Sequence, residues 1–380
     1  MSKKNIILFE AISILVGTII GAGILGLPYV FNQVGFWLGS LILLLMAGIM
    51  ALMKLMYGEI TLRTNGNHQL LGYTKIYLGK ITKHLVSFLL IFHLNGVLLA
   101  YFVGQGEVIE AITGIPALWA ALGFYAIFSI LLFIGLAVIK RAELLMSGMI
   151  ILIVIVIGFL ALDHINLSGF SGFDLSNSFM AFGVLLFACS GSIAIPEIRL
   201  LLKRREFLMR RAILLGVLIP PVIYFLFTFL VLSISGGNVT EIATIGLGEI
   251  LGPRMVLIAN LFAFFAMGTS FLTVGLALKG TYQFDYKLSH FFSWLLVMLV
   301  PLGLLFLIKN SFTYILGFVG GIAVAGEGIV MVLIYFRARK LGKRKPEYFM
   351  PVWLANSAGM VLIVMFILSI GYTLSQVLNF

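Results

Sequence analysis

Residues 17–28 read Gly17-Thr-Ile-Ile-Gly-Ala-Gly-Ile-Leu-Gly-Leu-Pro28, and residues 187–196 read Phe187-Ala-Cys-Ser-Gly-Ser-Ile-Ala-Ile-Pro196. In each, a cluster of small residues centred on a glycine stands five positions ahead of a proline. Glycine costs a helix interior about 1 kcal/mol relative to alanine. Proline removes one backbone N–H, and its ring crowds the carbonyl four residues back. Each stretch lies inside a long apolar run, so each predicts a helix that is interrupted partway along. Gly23 and Gly191 are 168 residues apart, as are Pro28 and Pro196.

The same offset organises the rest of the chain. Apolar runs lie near 6–31, 36–62, 81–112, 117–138, 144–162, 177–199, 208–235, 254–279, 290–308, 312–336 and 351–376. Moving the starts of runs two to five forward by 168 gives 204, 249, 285 and 312. Runs seven to ten begin at 208, 254, 290 and 312. Five spans followed by five more run in opposite directions, because five is odd. The expected fold is therefore an all-α membrane protein of about eleven transmembrane helices. Residues 1–170 form the first five-helix repeat, 171–340 the second, inverted one, and 341–380 an eleventh helix outside the repeat. Helices 1 and 6 are broken. Matched interruptions in the two halves of an inverted repeat point to the substrate site of a secondary transporter.

Composition agrees. Apolar residues make up 62% of the 380 positions and charged residues 10%, against about 25% charged in ordinary soluble domains. A bilayer is crossed by roughly 20 apolar residues in a helix, which pairs its own backbone groups where water is absent. The formal charge of +11 is distributed by topology: with the N-terminus in the cytoplasm, 22 of the 25 basic residues fall on the cytoplasmic side. Lys54 lies within a span, and Arg254 and Lys309 lie outside. The outer segments carry Glu107, Glu110, Asp163, Asp174, Glu241 and Glu249. This asymmetry predicts an inner cell-membrane location, a cytoplasmic N-terminus and an extracytoplasmic C-terminus, and leaves no basic excess to explain by nucleic-acid binding. The N-terminal lysines and apolar stretch resemble a signal peptide, but the run continues past Gly21 without a convincing cleavage site and reads as a retained first span. The single cysteine, Cys189, excludes a disulfide framework.

An unwound segment in mid-membrane bares N–H groups at the start of one half-helix and C=O groups at the end of the other, with partial positive and negative charge respectively. A zwitterion fits this arrangement. Its carboxylate would meet amides around Gly21, Ala22, Gly23 and Ile24, and its ammonium would meet carbonyls around Ile19, Phe187 and Ala188. No charged side chain lies within either break, which predicts a neutral substrate.

Residues 17–28 resemble the first-span signature of the amino acid–polyamine–organocation superfamily. Phe187 to Ile198 is similar to the sixth span of its amino acid/auxin permease branch and the related aromatic amino acid permeases. Leu94-Asn-Gly-Val-Leu-Leu-Ala-Tyr101 resembles that branch's third span, and Met267-Gly-Thr-Ser-Phe-Leu-Thr-Val-Gly-Leu276 its eighth. The resemblance implies that Gly21, Ala22, Gly23 and Ile24 contact the substrate carboxylate. It also implies that Cys189, Ser190, Gly191 and Ser192 frame the side-chain pocket and that Tyr101 reaches in from span three. Thr269 and Ser270 match a hydroxyl pair that, with the carbonyls of Gly17 and Ile20, holds sodium in coupled relatives; such a pair otherwise bonds its own helix. The resemblance further implies that spans one, two, six and seven rock against spans three, four, eight and nine.

A charge at mid-bilayer is costly and usually faces the bundle interior. Glu327, deep in span ten, is the expected protonatable coupling group, or else an interior carboxylate satisfied by hydroxyls or by Lys54. Glu10, Lys54 and Glu197 lie toward cytoplasmic ends: Lys54 is expected to snorkel, and the acids to pair with it or with Arg199 as an inner gate. The five histidines have no metal-ligand spacing, and His93 reads as a packing residue. No nucleophile–base or metal constellation suggests an enzyme, and no cofactor is implied. The expected function is ion-coupled transport of a neutral amino acid, large or aromatic side chains included, with H+ or Na+ and the lipid bilayer as partners. A non-transporting amino acid sensor on the same fold, or a carrier of another small organic cation or zwitterion, is the alternative.

Overall fold

The computed structural model describes residues 3–134, 178–305 and 311–378, with isolated positions between 155 and 174. Every regular element among them is helical. The expected first span is two helices, α1 (Lys3–Ile19) and α2 (Gly23–Val34), which meet at an angle of 55°. Then follow α3 (Phe36–Arg63), a short α4 (Leu70–Leu78), α5 (Lys80–Thr113) and α6 (Ala117–Ile134). The second half begins with α7 (Ser178–Ala188) and α8 (Ala194–Leu201), again separated by a break. It continues with α9 (Met209–Ser235), a short α10 (Ala243–Leu251), α11 (Pro253–Gly280) and α12 (His290–Leu304). Helix α13 (Phe312–Phe318) runs through a wide π-turn at Val319–Val324 into α14 (Ala325–Leu341), and α15 (Val352–Leu378) ends the described chain.

Seven described helices are long and apolar enough to cross a membrane by themselves, and the α1–α2 pair adds an eighth, broken, span. Helical elements occupy ten of the eleven expected spans. Of the fifth, at 144–162, only residues 155, 156, 158 and 159 are described, all helical, and Asp163 lies outside the described residues.

Two short helices lie outside the expected spans, and they match each other. The nine-residue helix α4 ends at Gly79 (φ 91°, ψ −179°) before the long helix α5, and the nine-residue α10 ends at Gly252 (φ 91°, ψ 178°) before the long α11. A positive φ of this size is open to glycine and strained for side-chain-bearing residues. One turn chemistry therefore serves equivalent corners of the two halves.

Packing divides the helices into two groups. Helices α1, α2, α3, α7, α8 and α9 pack on one another, and α5, α6, α11 and α12 do the same. The π-turn at Val319–Val324 lies against α7, where a side chain at Gly183 would stand 2.6 Å from the Gly317 carbonyl oxygen. Backbone meets backbone there because neither partner carries a Cβ.

Glu59, in α3, is fully buried. Its carboxylate accepts from Arg63 Nε at 2.8 Å, Tyr335 Oη at 3.0 Å and the Met350 N–H at 2.9 Å. It thereby ties α3 to α14 and to the segment before α15. Glu59→Ala leaves the buried part of this network unpaired and is expected to cost about 3–5 kcal/mol. Tyr335→Phe, losing the bond donated to Glu59 and the one accepted from Arg339 at 3.2 Å, is expected to cost about 1.5–3 kcal/mol. Thermal unfolding of the purified variants measures both; equal melting temperatures would show that the carboxylate is not structural.

Candidate functional site

The two breaks restart their helices in the same way. The Ile24 N–H bonds Gly21 O at 3.4 Å and the Leu25 N–H bonds Ala22 O at 3.0 Å. Across the site, the Ala194 N–H bonds Gly191 O at 3.2 Å and the Ile195 N–H bonds Ser192 O at 3.1 Å. The N–H groups of Gly21, Ala22 and Gly23, and those of Gly191, Ser192 and Ile193, therefore lie ahead of the first bonds of α2 and α8. These are the donors that a helix start leaves open. The prolines help to place the breaks: Pro28 and Pro196 each lack the N–H that would reach Ile24 and Ser192.

The breaks face each other at close range. A Cβ on Gly23 would stand 2.7 Å from both Cα and Cβ of Ala188, and one on Gly191 would stand 2.8 Å from Ile19 Cγ1. Gly191 also has φ +98°, outside the range of ordinary side-chain-bearing residues. The first break thus packs on the end of α7, and the second on the end of α1. Ile19, Ala22, Ile24, Phe187, Ala188 and Cys189 are buried, while Gly21, Ser190, Gly191 and Ser192 are half-buried. The Ser192 hydroxyl oxygen is buried without a hydrogen-bond partner among the described residues.

Tyr101 and Ser270 come together at the first break. A Cβ on Gly21 would stand 3.1 Å from Ser270 Oγ and 3.6 Å from Tyr101 Oη. Thr269 behaves differently: its hydroxyl points back at its own helix, within 3.0 Å of Phe265 O and 3.1 Å of Ala266 O. Gly17 sits on an exposed part of α1, where a Cβ would find nothing within 4 Å among the described residues. Of the four positions expected to hold sodium, Ile20 and Ser270 therefore lie at or against the break, while Thr269 is held by its own turn.

The carbonyl end of the site is more occupied than the sequence suggests. Tyr224 of α9, fully buried, places its hydroxyl 2.7 Å from Ile19 O and 2.9 Å from Ala188 O. One O–H donates to one of these oxygens at a time, and it joins the last residues of α1 and α7. Lys54 donates from Nζ to Cys189 O at 2.8 Å. The expectation that Lys54 snorkels or pairs with an acid is corrected. Its side chain is 0% exposed, and no carboxylate among the described residues lies within 4.0 Å of it. From mid-α3 the four-carbon stem reaches inward to the break, where the negative end of the α7 dipole takes the place of a carboxylate.

Glu327 is paired, but not with Lys54: its Oε1 lies 2.8 Å from Nδ1 of His93 on α5, and both side chains are largely buried. His93 is thus part of an acid–imidazole pair rather than a packing residue. Arg199 does not pair as an isolated gate. Its guanidinium holds Thr64 O at 3.0 Å and Gly66 O at 2.5 Å, with Glu206 at 3.4 Å. Glu10 lies on an exposed face of α1.

Sequence reasoning missed Tyr224, the inward course of Lys54 and the His93 partner. For Tyr224 no signal stands out, since it is one aromatic in an apolar run after Pro220 and Pro221. Glu59 had one: Arg63 four residues on is the spacing of a helix ion pair.

A family model for the tryptophan/tyrosine permease family matches residues 3–374. Glutamine transporter 2 of Aliivibrio fischeri is 23% identical, with 84% of this chain and 86% of that protein aligned. The low affinity tryptophan permease of Escherichia coli K12 is 25% identical, with 93% of this chain and 92% of that protein aligned. Among solved structures, Mhp1, a nucleobase-cation-symport-1 family transporter in a closed conformation with bromovinylhydantoin bound, is similar with a TM-score of 0.63. It is 14% identical and covers 97% of this chain and 93% of its own, a likeness of fold.

Proposed function

The chain belongs to the tryptophan/tyrosine permease family, and from that premise we propose that it is a secondary active transporter carrying a neutral amino acid, large or aromatic side chains included, by alternating access. It is a multi-pass membrane transporter rather than an enzyme. The observation that carries the reading is the pair of facing breaks, with two sets of open main-chain N–H groups and the unpartnered Ser192 hydroxyl between them. The substrate carboxylate sits on the open N–H groups of Gly21, Ala22 and Gly23, while the Ile24 N–H is taken up by Gly21 O. The ammonium shares the Ile19 and Ala188 oxygens with Tyr224, since each carbonyl has two lone pairs. Cys189, Ser190, Gly191 and Ser192 frame the side chain, and Tyr101 with Ser270 closes the first break.

Neutrality is supported by the absence of a carboxylate from both breaks and by the commitment of Lys54 to Cys189 O. The relatives named for tryptophan and glutamine both carry uncharged side chains. Rocking of spans one, two, six and seven against three, four, eight and nine is supported by the two packing groups. The N-terminus is cytoplasmic and the C-terminus extracytoplasmic, and residues 1–170 and 171–340 are the two repeats. The coupling ion is H+, carried at the Glu327–His93 pair, which joins α5 to the helix whose π-turn packs on α7. Na+ at Gly17, Ile20, Thr269 and Ser270 is the competing reading.

Counterflow by purified protein in liposomes tests this. Neutral amino acids are expected to exchange and acidic or cationic ones not to. A pH gradient is expected to drive accumulation by the unsubstituted chain, while Glu327→Gln keeps exchange and loses that accumulation. A sodium-driven uptake abolished by Thr269→Ala would move the coupling to sodium. Amino acids that bind but neither exchange nor accumulate would replace the transporter with a sensor.

A further inference from the structure

The face of the molecule that carries the basic residues holds a cavity that the transport reading does not use. The turn after α8 runs Lys203-Arg204-Arg205-Glu206, and Arg204 takes a left-handed conformation with φ 71°, which is rare for a long side chain. That turn walls a cavity of about 390 Å³, lined by Asn67, Arg199, Lys203, Arg204, Glu206 and Arg344 among others. Three separate segments build it: the loop after α3, the turn after α8, and the loop ahead of α15.

Its charge is unbalanced. Four cationic side chains line the cavity against one carboxylate, Glu206. A second, Glu347, reaches Arg344 from outside at 3.8 Å, leaving an excess of two positive charges. The cations also differ in how they are held. Arg199 is 5% exposed and fixed by Thr64 O, Gly66 O and Glu206. Arg344 is fixed on Glu206 at 2.6 Å. Lys203 and Arg204 are exposed, and no carboxylate among the described residues lies within 4.0 Å of either. Two hydrogen-bonded guanidinium groups and two exposed cations, unpaired among the described residues, form a receptor for a compact oxyanion, since arginine matches phosphate oxygens in a bidentate fork.

We propose that this cavity binds a phosphate group, held by Lys203 and Arg204 against the fixed guanidinium groups of Arg199 and Arg344. The chemistry is shared by the headgroup of an anionic phospholipid and by free phosphate. The rim suits the lipid, because Leu200 lines the cavity at 45% exposure and Phe207, next in sequence to the lining residue Glu206, is 56% exposed. Basic pockets at the ends of transmembrane helices take anionic headgroups in this way. The site does not depend on which amino acid is carried. A bound phosphate would tie the end of α8, half of the second broken span, to the loops on either side of it.

The test is the melting temperature of the purified chain in neutral detergent, titrated separately with short-chain phosphatidylglycerol, short-chain phosphatidylcholine and inorganic phosphate. Phosphatidylglycerol is expected to raise the melting temperature and phosphatidylcholine not to. In the double variant Lys203→Ser/Arg204→Ser, unliganded stability is expected to be unchanged, because both side chains are exposed. The half-effective phosphatidylglycerol concentration should rise about thirtyfold, from the contribution of two surface cations beside an anionic headgroup. An equal rise with inorganic phosphate, also lost in the double variant, supports the site and assigns it to free phosphate. A rise with phosphatidylcholine equal to that with phosphatidylglycerol, no rise with any anion, or an unshifted titration in the double variant overturns it.

Discussion

Gly23→Ala is expected to bring amino acid uptake down to background. The new Cβ would fall 2.7 Å from both Cα and Cβ of Ala188, so it meets the backbone of the opposing half-helix rather than a side chain that can rotate away. Relief requires the two broken spans to separate, at a cost of about 1–3 kcal/mol for overpacking, and separation removes the juxtaposition on which the proposed substrate site depends. A graded series isolates the cause. Gly191→Ala is expected to be nearly as severe, since it combines φ +98° with a contact of 2.8 Å to Ile19 Cγ1. Gly21→Ala should be milder, because Ser270 Oγ at 3.1 Å can turn aside, and Gly17→Ala should be close to neutral, with nothing within 4 Å. Pairing Gly23→Ala with Ala188→Gly removes one of the two overlapping atoms and should restore part of the uptake. Counterflow rates, read with melting temperatures to separate folding from transport, decide the order. Full transport by Gly23→Ala would remove the breaks from the site.

Lys54→Glu is the second large effect. The native ammonium is wholly enclosed and donates to Cys189 O at 2.8 Å. A carboxylate in its place sets acceptor against acceptor in a region without water, at a cost of several kcal/mol. The variant is expected to be recovered from the membrane at low yield or without uptake. Lys54→Met, similar in length, loses the hydrogen bond but also removes the buried charge. These changes oppose each other in stability, so it should be recovered folded. Its uptake should fall about ten- to hundredfold, because the end of α7 is no longer held by a charge-assisted bond of about 1.5–3 kcal/mol. Wild-type yield and uptake by Lys54→Glu would mean that the ammonium does not sit at the break in the membrane.

The spans and both interruptions were legible in the sequence because they depend on local chemistry: apolar run length, glycine without a Cβ and proline without an N–H. The meeting of Tyr101 with Ser270 at Gly21 was legible through the family resemblance of spans three and eight. What stayed hidden is long-range pairing. Lys54 and Cys189 are 135 positions apart, Tyr224 and Ile19 205, His93 and Glu327 234, and Glu59 and Tyr335 276. Such partners depend on how each helix is rotated about its axis. Helices α3, α5 and α11 are apolar around most of their circumference, so no polar stripe announces which side faces inward.

The wide turn at Val319–Val324 makes that rotation harder still to read. An α-helix advances about 100° per residue, and a π-turn takes in one residue more than the helix around it. Counting from Phe312 in even helical steps therefore puts Glu327 about a quarter-turn from where it stands. Its position opposite His93 is set by a phase slip upstream. A chain one residue shorter within 319–324 would close the wide turn into an even α-helix and leave the carboxylate opposite His93. One residue lost from the regular turn of 325–326 would instead swing it about 100° toward a different neighbour.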